Sequence, residues 1–357
     1  MVKDAHKRNV EFYKGKRVFI TGHTGFKGAW MCAILNHLGA DVTGYALPAE
    51  TGSLFERIGG KEMINHIEGD VRDYALLKKS IEVSRPEIVF HLAALAQVKD
   101  CFENPVEAYS SNVMGTVNLL EAIRQIDFVK SVVVVTTDKV YENKGDGAVY
   151  QETDLLGGGD PYATSKTSME FVVKAYKESY FQSDGCRLGI ATVRASNVIG
   201  GGDHVQTRLI PSILRAATGE GKVELRNPNQ TRPWQSIFDA LNGYMTVGRL
   251  LYDMPLQFSE SWNIGPKLDG IKTVEWVLNK IQNYYNGLEA GEGVRLEVKE
   301  SETLGLDITK SLERLDWQPI VSAEKMIEFV VDFFVRQKNS ESEQSICQRQ
   351  IAEFFSL

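Results

Sequence analysis

The stretch 16–40 reads KRVFITGHTGFKGAWMCAILNHLGA. Val18 to Ile20 form a short apolar strand, Gly22, Gly25 and Gly28 punctuate a turn, and Trp30, Met31, Ile34, Leu35 and Leu38 recur at helical spacing. Strand, glycine turn and helix, in that order, suit a diphosphate: bare backbone N–H groups at a helix amino terminus face the anion where the partial positive charge sits. Gly28 lets the helix pack closely on the strand. In a chain with 31 glycines a chance cluster is the bland alternative, and the strand-to-helix context favours dinucleotide binding through Gly22, His23, Thr24, Gly25, Phe26, Lys27 and Gly28.

Outward from this unit, apolar strands around Ile20, Val42, Ile67, Val89, Val132 and Ile190 alternate with helical patterns. Successive right-handed βαβ units follow, hence an α/β fold with a doubly wound parallel sheet of Rossmann type. The strand VTGYALP ends in Tyr45, Ala46 and Leu47 where an NAD enzyme places a ribose-binding acid, and no arginine replaces it, so these residues leave NAD and NADP both open. HIEGDVRD supplies Asp70 and Val71 for the adenine, with a turn or cap aspartate as the alternative; PEIVFHLAALAQV supplies Leu92, Ala93 and Ala94, small enough at the alanines for a cofactor to lie across. The helical pattern AYSSNVMGTVNLLEAIRQI puts Val113, Val117, Leu120 and Ile123 on one stripe.

The segment VVVVTTDKVYEN places four valines, Val132 to Val135, on a strand buried on both faces, so Thr136, Thr137, Asp138 and Lys139 emerge at the carboxyl edge where ligand crevices lie. In DPYATSK, Asp160 suits an N-cap and Pro161 a first helical turn; Tyr162 and Lys166 then stand i, i+4 on one face. A sixth strand, Ile190 to Val193, precedes Asn197 and the glycines 200–202. Beyond it regularity drops, and Arg226 and Arg232 near Trp234 match a diphosphate clamp, although surface arginines are common. The reading is a dinucleotide-binding domain over 1–195 with a strand returning near 260–265, a smaller mixed α/β substrate region over 196–335, and a linker with an amphipathic tail over 336–357, where Cys347, Ile351 and Phe354 share a helical face.

With 357 residues, 43% of them hydrophobic, the chain can bury a substantial core, and its net charge of -7 argues against a general nucleic-acid binder. The amino terminus MVKDAHKRNVEFYKGKR has no apolar signal core and no run of about 18 apolar residues follows, so a cytoplasmic protein without membrane contact is expected. Cys32, Cys101, Cys186 and Cys347 lie far apart and the six histidines lack ligand spacing; neither a disulfide framework nor a metal site is expected.

TGHTGFKG, NVMGT, TTDKVYEN, DPYATSK, NVIGGGD, RPWQ and WNIGP, spread over Lys16 to about Pro319, resemble the extended short-chain dehydrogenase/reductases and, within them, the CDP-glucose 4,6-dehydratases. The resemblance implies an NAD-dependent lyase of deoxysugar biosynthesis. In it Tyr162 takes the sugar 4-hydroxyl proton, Lys166 lowers the tyrosine pKa and binds the nicotinamide ribose, Thr137 orients the hydroxyl, Asp138 is the acid toward O6, and Lys139 is a base or an electrostatic stabiliser at C5. Thr136, Tyr162 and Lys166 would join the cofactor contacts, and Asn112, Asn197, Arg208, Leu209, Arg226 and Arg232 would hold the nucleotide sugar. A homodimer through the helices around Asn112 and Tyr162 is also implied. The chain departs from that pattern at Leu95–Lys99, after Asn143, and at RPWQSIF. A nucleotide-sugar 4-epimerase shares the tyrosine and lysine but needs no acid and base at C5 and C6, and a non-catalytic NAD sensor would be expected to lose one of the pair.

Overall fold

The computed structural model describes residues 5–143, 145, 147–182, 188–205, 208–217, 223–225, 227–267, 270–285, 290–292 and 305–357. Its main sheet has seven strands: β1 (Arg17–Thr21), β2 (Asp41–Ala46), β3 (Asn65–Glu68), β4 (Ile88–His91), β5 (Ser131–Val135), β6 (Gly189–Ala195) and β7 (Ser261–Ile264). They lie in the order β3-β2-β1-β4-β5-β6-β7, every pair parallel. The expected doubly wound sheet is present, and WNIGP does return as its edge strand, with Trp262 opposite Val193.

Alternation divides the core. Val133, Val135, Ile20, Phe90 and Val193 face a cluster with Trp30, Phe238, Tyr244 and Trp262, while Val132, Val134, Phe19, Val89 and Ile190 face Leu119, Leu120, Ile123, Met169 and Val173 on the other side. The four valines of β5 are therefore used two to each face. A smaller sheet joins strands Asn197–Ile199, Thr231–Ser236 and Ile271–Thr273 over its own core of Ile210, Ile213, Trp234, Val277, Ile281 and Val330. Strand Thr231–Ser236 runs straight into the helix Ile237–Asp253, which packs on the main sheet and so ties the two regions together.

Both ends of the chain add helices to this frame. Helix Ala5–Tyr13 docks on Ile237–Asp253 through Asn9, whose amide donates to Asn242 Oδ1 (2.9 Å) and Thr246 Oγ1 (3.0 Å), and through the Tyr13 hydroxyl on the Met245 carbonyl (2.7 Å). The tail forms helix Glu343–Ser356, burying Ile346, Cys347, Ile351 and Phe354; Phe354 stacks on Phe238 and Glu343 pairs with Arg57 at 2.7 Å. Among the described residues no helix is long and apolar enough to cross a membrane.

The stripe expected after Pro105 is shifted. Helix Pro105–Tyr109 opens into a wider π turn, Ser110–Met114, before continuing as Gly115–Arg124. Asn112, Gly115, Thr116, Leu119, Leu120 and Ile123 turn inward, while Val113 and Val117, at the edge of that face, are only half-buried.

At the glycine turn Gly22 adopts φ +75°, and a Cβ there would lie 2.6 Å from the Ala93 nitrogen. A Cβ on Gly28 would strike the Gly22 carbonyl oxygen and lie 2.6 Å from His23 Cα. These are backbone atoms, which yield only if the loop moves. Gly28→Ala is therefore expected to destabilise the fold by about 1–3 kcal/mol, whereas Gly159→Ala, with nothing within 4 Å of its added carbon, should be neutral; urea unfolding of both variants checks this.

Candidate active site

The glycine turn leaves β1 and starts helix Phe26–His37, whose N-cap, Gly25, contributes no side-chain hydrogen bond. The first-turn amides thus face the crevice without a side-chain cap, the donor set a diphosphate needs. Leu92 and Ala93 floor the turn: Leu92 N donates to Thr21 O (3.1 Å) and Ala93 N to Thr21 Oγ1 (3.3 Å), with half-buried Ala94 following. The backbone of the loop therefore fits the diphosphate of a dinucleotide. His23 offers it only main chain. Its ring is buried, edge-on to Phe55 and hydrogen-bonded to His66 at 2.7 Å, and burial pushes its pKa down to about 3. Thr24 Oγ1 donates to Leu47 O (3.1 Å).

The Asp70 carboxylate, two residues beyond β3, accepts from the Arg72 backbone and guanidinium, and the hydrogen bond from that side chain holds its pKa below the usual range. Val71 is buried in the core.

The catalytic candidates gather where β5 ends. Thr137 caps a short 3-10 turn, Asp138–Val140, and its Oγ1 donates to Asp138 Oδ1 at 3.0 Å. Helix Pro161–Tyr176 begins as expected, with Asp160 Oδ1 accepting from Ala163 N (2.9 Å) and Pro161 in the first turn. Thr167 Oγ1 on this helix donates to Val140 O (3.2 Å), and Lys139 Nζ lies 6.0 Å from the centre of the Tyr162 ring. Lys166, 4% exposed, donates from Nζ to Val135 O at 3.0 Å. The turn, the tyrosine and the lysine thus share one cleft.

Burial governs its electrostatics. It drives Lys166 down to about 7, with Lys27 adding repulsion, and Lys27 down to about 8, with Arg208 repelling it and Asp138 pulling the other way. Burial raises Asp138 despite the opposing charges of Lys139, Lys27 and Arg232 and a hydrogen bond from Thr137. Tyr162 is pushed up to about 12, mainly by burial, against a lowering hydrogen bond with Thr137. Lys166 is desolvated as well and holds its charge weakly near neutrality, so burial dominates both groups in this arrangement.

Other expected residues divide. Asn112 spends its amide within the protein, accepting from Leu95 N (2.7 Å) and donating to Leu95 O (3.2 Å) and Ser165 Oγ (2.9 Å); it clamps the segment after β4 onto the tyrosine helix. Arg208 pairs with Asp203 at 2.9 Å while its charge reaches Tyr162 and Lys27. Leu209 opens helix Leu209–Ala216, and Asn197 is exposed at the start of its strand, opposite Trp234. Arg232 sits across the ladder from Lys272, and its charge is felt by Asp138. Arg226 lies outside the described residues. Thr136 turns away from the crevice, donating to Glu170 Oε1 at 2.6 Å.

Two participants were not read from the sequence. Tyr244, buried on Ile237–Asp253, lies 3.5 Å from Lys27 Nζ, and its hydroxyl is held protonated chiefly by burial, then by Tyr162 and Asp138 nearby. Glu170 forms a buried pair with Arg194 at 2.9 Å; its i+4 spacing after Lys166, repeating that of Tyr162 and Lys166, was the available signal. Among the described residues no group of three or more metal-binding side chains is gathered.

The fold and cleft define a dinucleotide-binding protein of the tyrosine–lysine type. Residues 19–330 match the GDP-mannose 4,6 dehydratase family model, and the chain belongs to that family. It is 44% identical over 316 residues to the CDP-glucose 4,6-dehydratase of Salmonella typhimurium, covering 86% of this chain and 87% of that protein. It is 25% identical over 341 residues to the dTDP-glucose 4,6-dehydratase of Xanthomonas campestris, covering 88% and 92%. Among solved structures, the dTDP-glucose 4,6-dehydratase of Bacillus anthracis in complex with NAD superposes with a TM-score of 0.76 at 21% identity, covering 91% of this chain and 98% of that one.

The buried lysine has a measurable signature. The unfolded chain keeps the Lys166 proton up to an ordinary 10.5 and the folded protein releases it near 7, so in that window the unfolded state binds more protons and stability rises with pH. In the ligand-free protein this rise should flatten in Lys166→Met, as denaturant titrations stepped between these pH values will report.

Proposed function

We propose that the chain is an NAD-dependent 4,6-dehydratase that converts CDP-glucose to CDP-4-keto-6-deoxyglucose in the cytoplasm. The observation that carries the reading is the turn Thr137–Lys139, which sets a carboxyl raised by burial and an amine beside Tyr162 in one cleft. The 44% identical Salmonella typhimurium relative supports the CDP-glucose substrate, and the three described cysteines, all free and buried, fit a reducing compartment.

The glycine cradle Gly22–Gly28 would hold NAD, which would supply a reversible hydride acceptor for the sugar. Tyr162, ionised where the Lys166 ammonium and the nicotinamide cation would stand beside it, would accept the C4 hydroxyl proton as the ketone forms, with Thr137 orienting that hydroxyl. The ketone acidifies C5, whose proton Lys139 takes as base or, while charged, answers as the counter-charge of the enolate. Asp138, whose carboxyl burial pushes upward, donates to O6 as water leaves. Arg208 and Arg232, whose charges already reach the cleft, hold the diphosphate. A 4-epimerase would have no use for the Asp138–Lys139 pair.

Purified protein given CDP-glucose, dTDP-glucose, UDP-glucose and GDP-mannose with NAD should lose one water from CDP-glucose with no net reduced cofactor. An unchanged mass with inversion at C4 would instead identify an epimerase. Asp138→Asn is expected to bind NAD normally while dehydration falls by about 100-fold or more; full product formation would remove the acid assignment.

The molecule is further read as a homodimer. Val106 (82% exposed), Met114 (50%) and Phe171 (56%) lie on the segments Pro105–Arg124 and Pro161–Tyr176, which pack side by side. Val106→Asp combined with Phe171→Glu should shift the sedimenting species from dimer to monomer.

A further inference from the structure

The helix that carries Tyr162 and Lys166 places Glu170 one further turn along the same inner face, 4% exposed. Glu170 Oε1 accepts from Thr136 Oγ1 (2.6 Å) and Arg194 Nε (3.0 Å); Oε2 accepts from Arg194 Nη2 (2.9 Å), Thr192 Oγ1 (2.6 Å) and Ser261 Oγ (3.1 Å). The remaining Arg194 nitrogen, Nη1, donates to the Tyr141 hydroxyl (2.8 Å) and to Glu152 O (3.2 Å), and the guanidinium lies 4.9 Å from the Tyr141 ring centre. The Tyr141 hydroxyl in turn donates to Asn263 Oδ1 at 2.6 Å.

This connectivity has a specific shape. Thr136 immediately precedes the turn Thr137–Val140 and Tyr141 immediately follows it, so one buried ion pair holds both ends of the segment that carries Asp138 and Lys139. The same pair is anchored on the helix of Tyr162. Burial pushes Glu170 upward, but the guanidinium and the three hydroxyl donors outweigh it and keep the carboxylate ionised. Buried ion pairs in general add little stability over an apolar pair of similar volume; what a fully satisfied ionic network adds is one geometry.

We propose that Glu170 and Arg194 are positioning residues that lock the Thr137–Lys139 turn in register with Tyr162, so that elimination across C5 and C6, which uses Asp138 and Lys139, depends on them more steeply than oxidation at C4, which uses the turn only through Thr137. The inference deepens the dehydratase reading and rests on it for its kinetic consequence. A displacement of about 1 Å in a reacting group can cost about 100-fold in rate. Oxidation draws on Tyr162 and Lys166, which the helix itself fixes, and on the turn through Thr137 alone. Dehydration also requires Asp138 and Lys139.

Tyr141→Phe removes one hydroxyl from the network without leaving a charge unpaired, and Arg194→Lys keeps the charge but loses the fork. In single turnovers of the NAD-loaded enzyme with CDP-glucose, both variants are expected to slow cofactor reduction by no more than about twofold and water loss by about tenfold. Reduced cofactor then accumulates as a transient absorbance. Ser261→Ala, which removes a donor from the far side of Glu170, should leave both steps as they are. A parallel fall of the two steps, or no change in either, overturns the proposal. Native-state amide exchange supplies a readout free of catalysis: in Tyr141→Phe the amides of Lys139, Val140 and Tyr141 should exchange about tenfold faster while those of β5 keep their protection. Unchanged exchange also overturns the proposal, even if the wild-type protein dehydrates no nucleotide sugar, which would by itself remove only the dehydratase reading. Should Arg194→Lys fail to fold, Tyr141→Phe alone carries both tests.

Discussion

Strand β5 is buried along its whole length, with Val132 and Val134 against one layer of helices and Val133 and Val135 against the other. A parallel strand covered on both faces has no solvent-facing residue to spare. Polar side chains can begin only where it ends, and there they begin at once, with Thr136, Thr137, Asp138 and Lys139. The same packing that makes the strand central places these groups in a cleft walled by helices Pro161–Tyr176 and Ile237–Asp253. Their desolvation is thus a consequence of the fold.

That desolvation sets the chemistry of the cleft. Lys27, Lys139 and Lys166 converge on one carboxyl and one phenol, and burial moves the groups whose shifts are resolved toward their neutral forms: Lys27 and Lys166 downward, Asp138 and Tyr162 upward. A carboxyl raised by burial is better disposed to act as an acid, and weakly held ammonium charges respond readily to an incoming anion or cation. Beneath the cleft the opposite strategy operates. Glu170 and Arg194 remain ionised because five hydrogen bonds reach the carboxylate and each guanidinium nitrogen finds an acceptor. The groups of the cleft hold their charges loosely, while the ion pair beneath them has its hydrogen bonds satisfied.

Much of this was legible in the residues. The glycine turn, the doubly wound sheet, the returning strand WNIGP, the Asp160 cap and the Tyr162–Lys166 face all follow from local periodicity and turn chemistry, which depend on neighbours a few residues away. Long-range packing was less legible. Val113 and Val117 lie at the edge of the inward face and are only half-buried. The side chains of His23 and Asn112 are engaged within the protein, His23 by His66 and Phe55 and Asn112 by Leu95 and Ser165.

Sequence alone determined the class of fold, the crevice edge at which chemistry occurs and the residue types delivered there, because strand burial, helix spacing and glycine backbone freedom are encoded locally. Tertiary structure alone decided which of those residues face one another and in what state of charge. The meeting of Tyr244 with Lys27 spans 217 positions and that of Tyr141 with Asn263 spans 122, and no periodicity reports such encounters. The rise of Tyr162 and the fall of Lys166 are likewise properties of an enclosed volume. Dielectric environment belongs to the packed assembly of helices around β5, and the order of residues along the chain does not contain it.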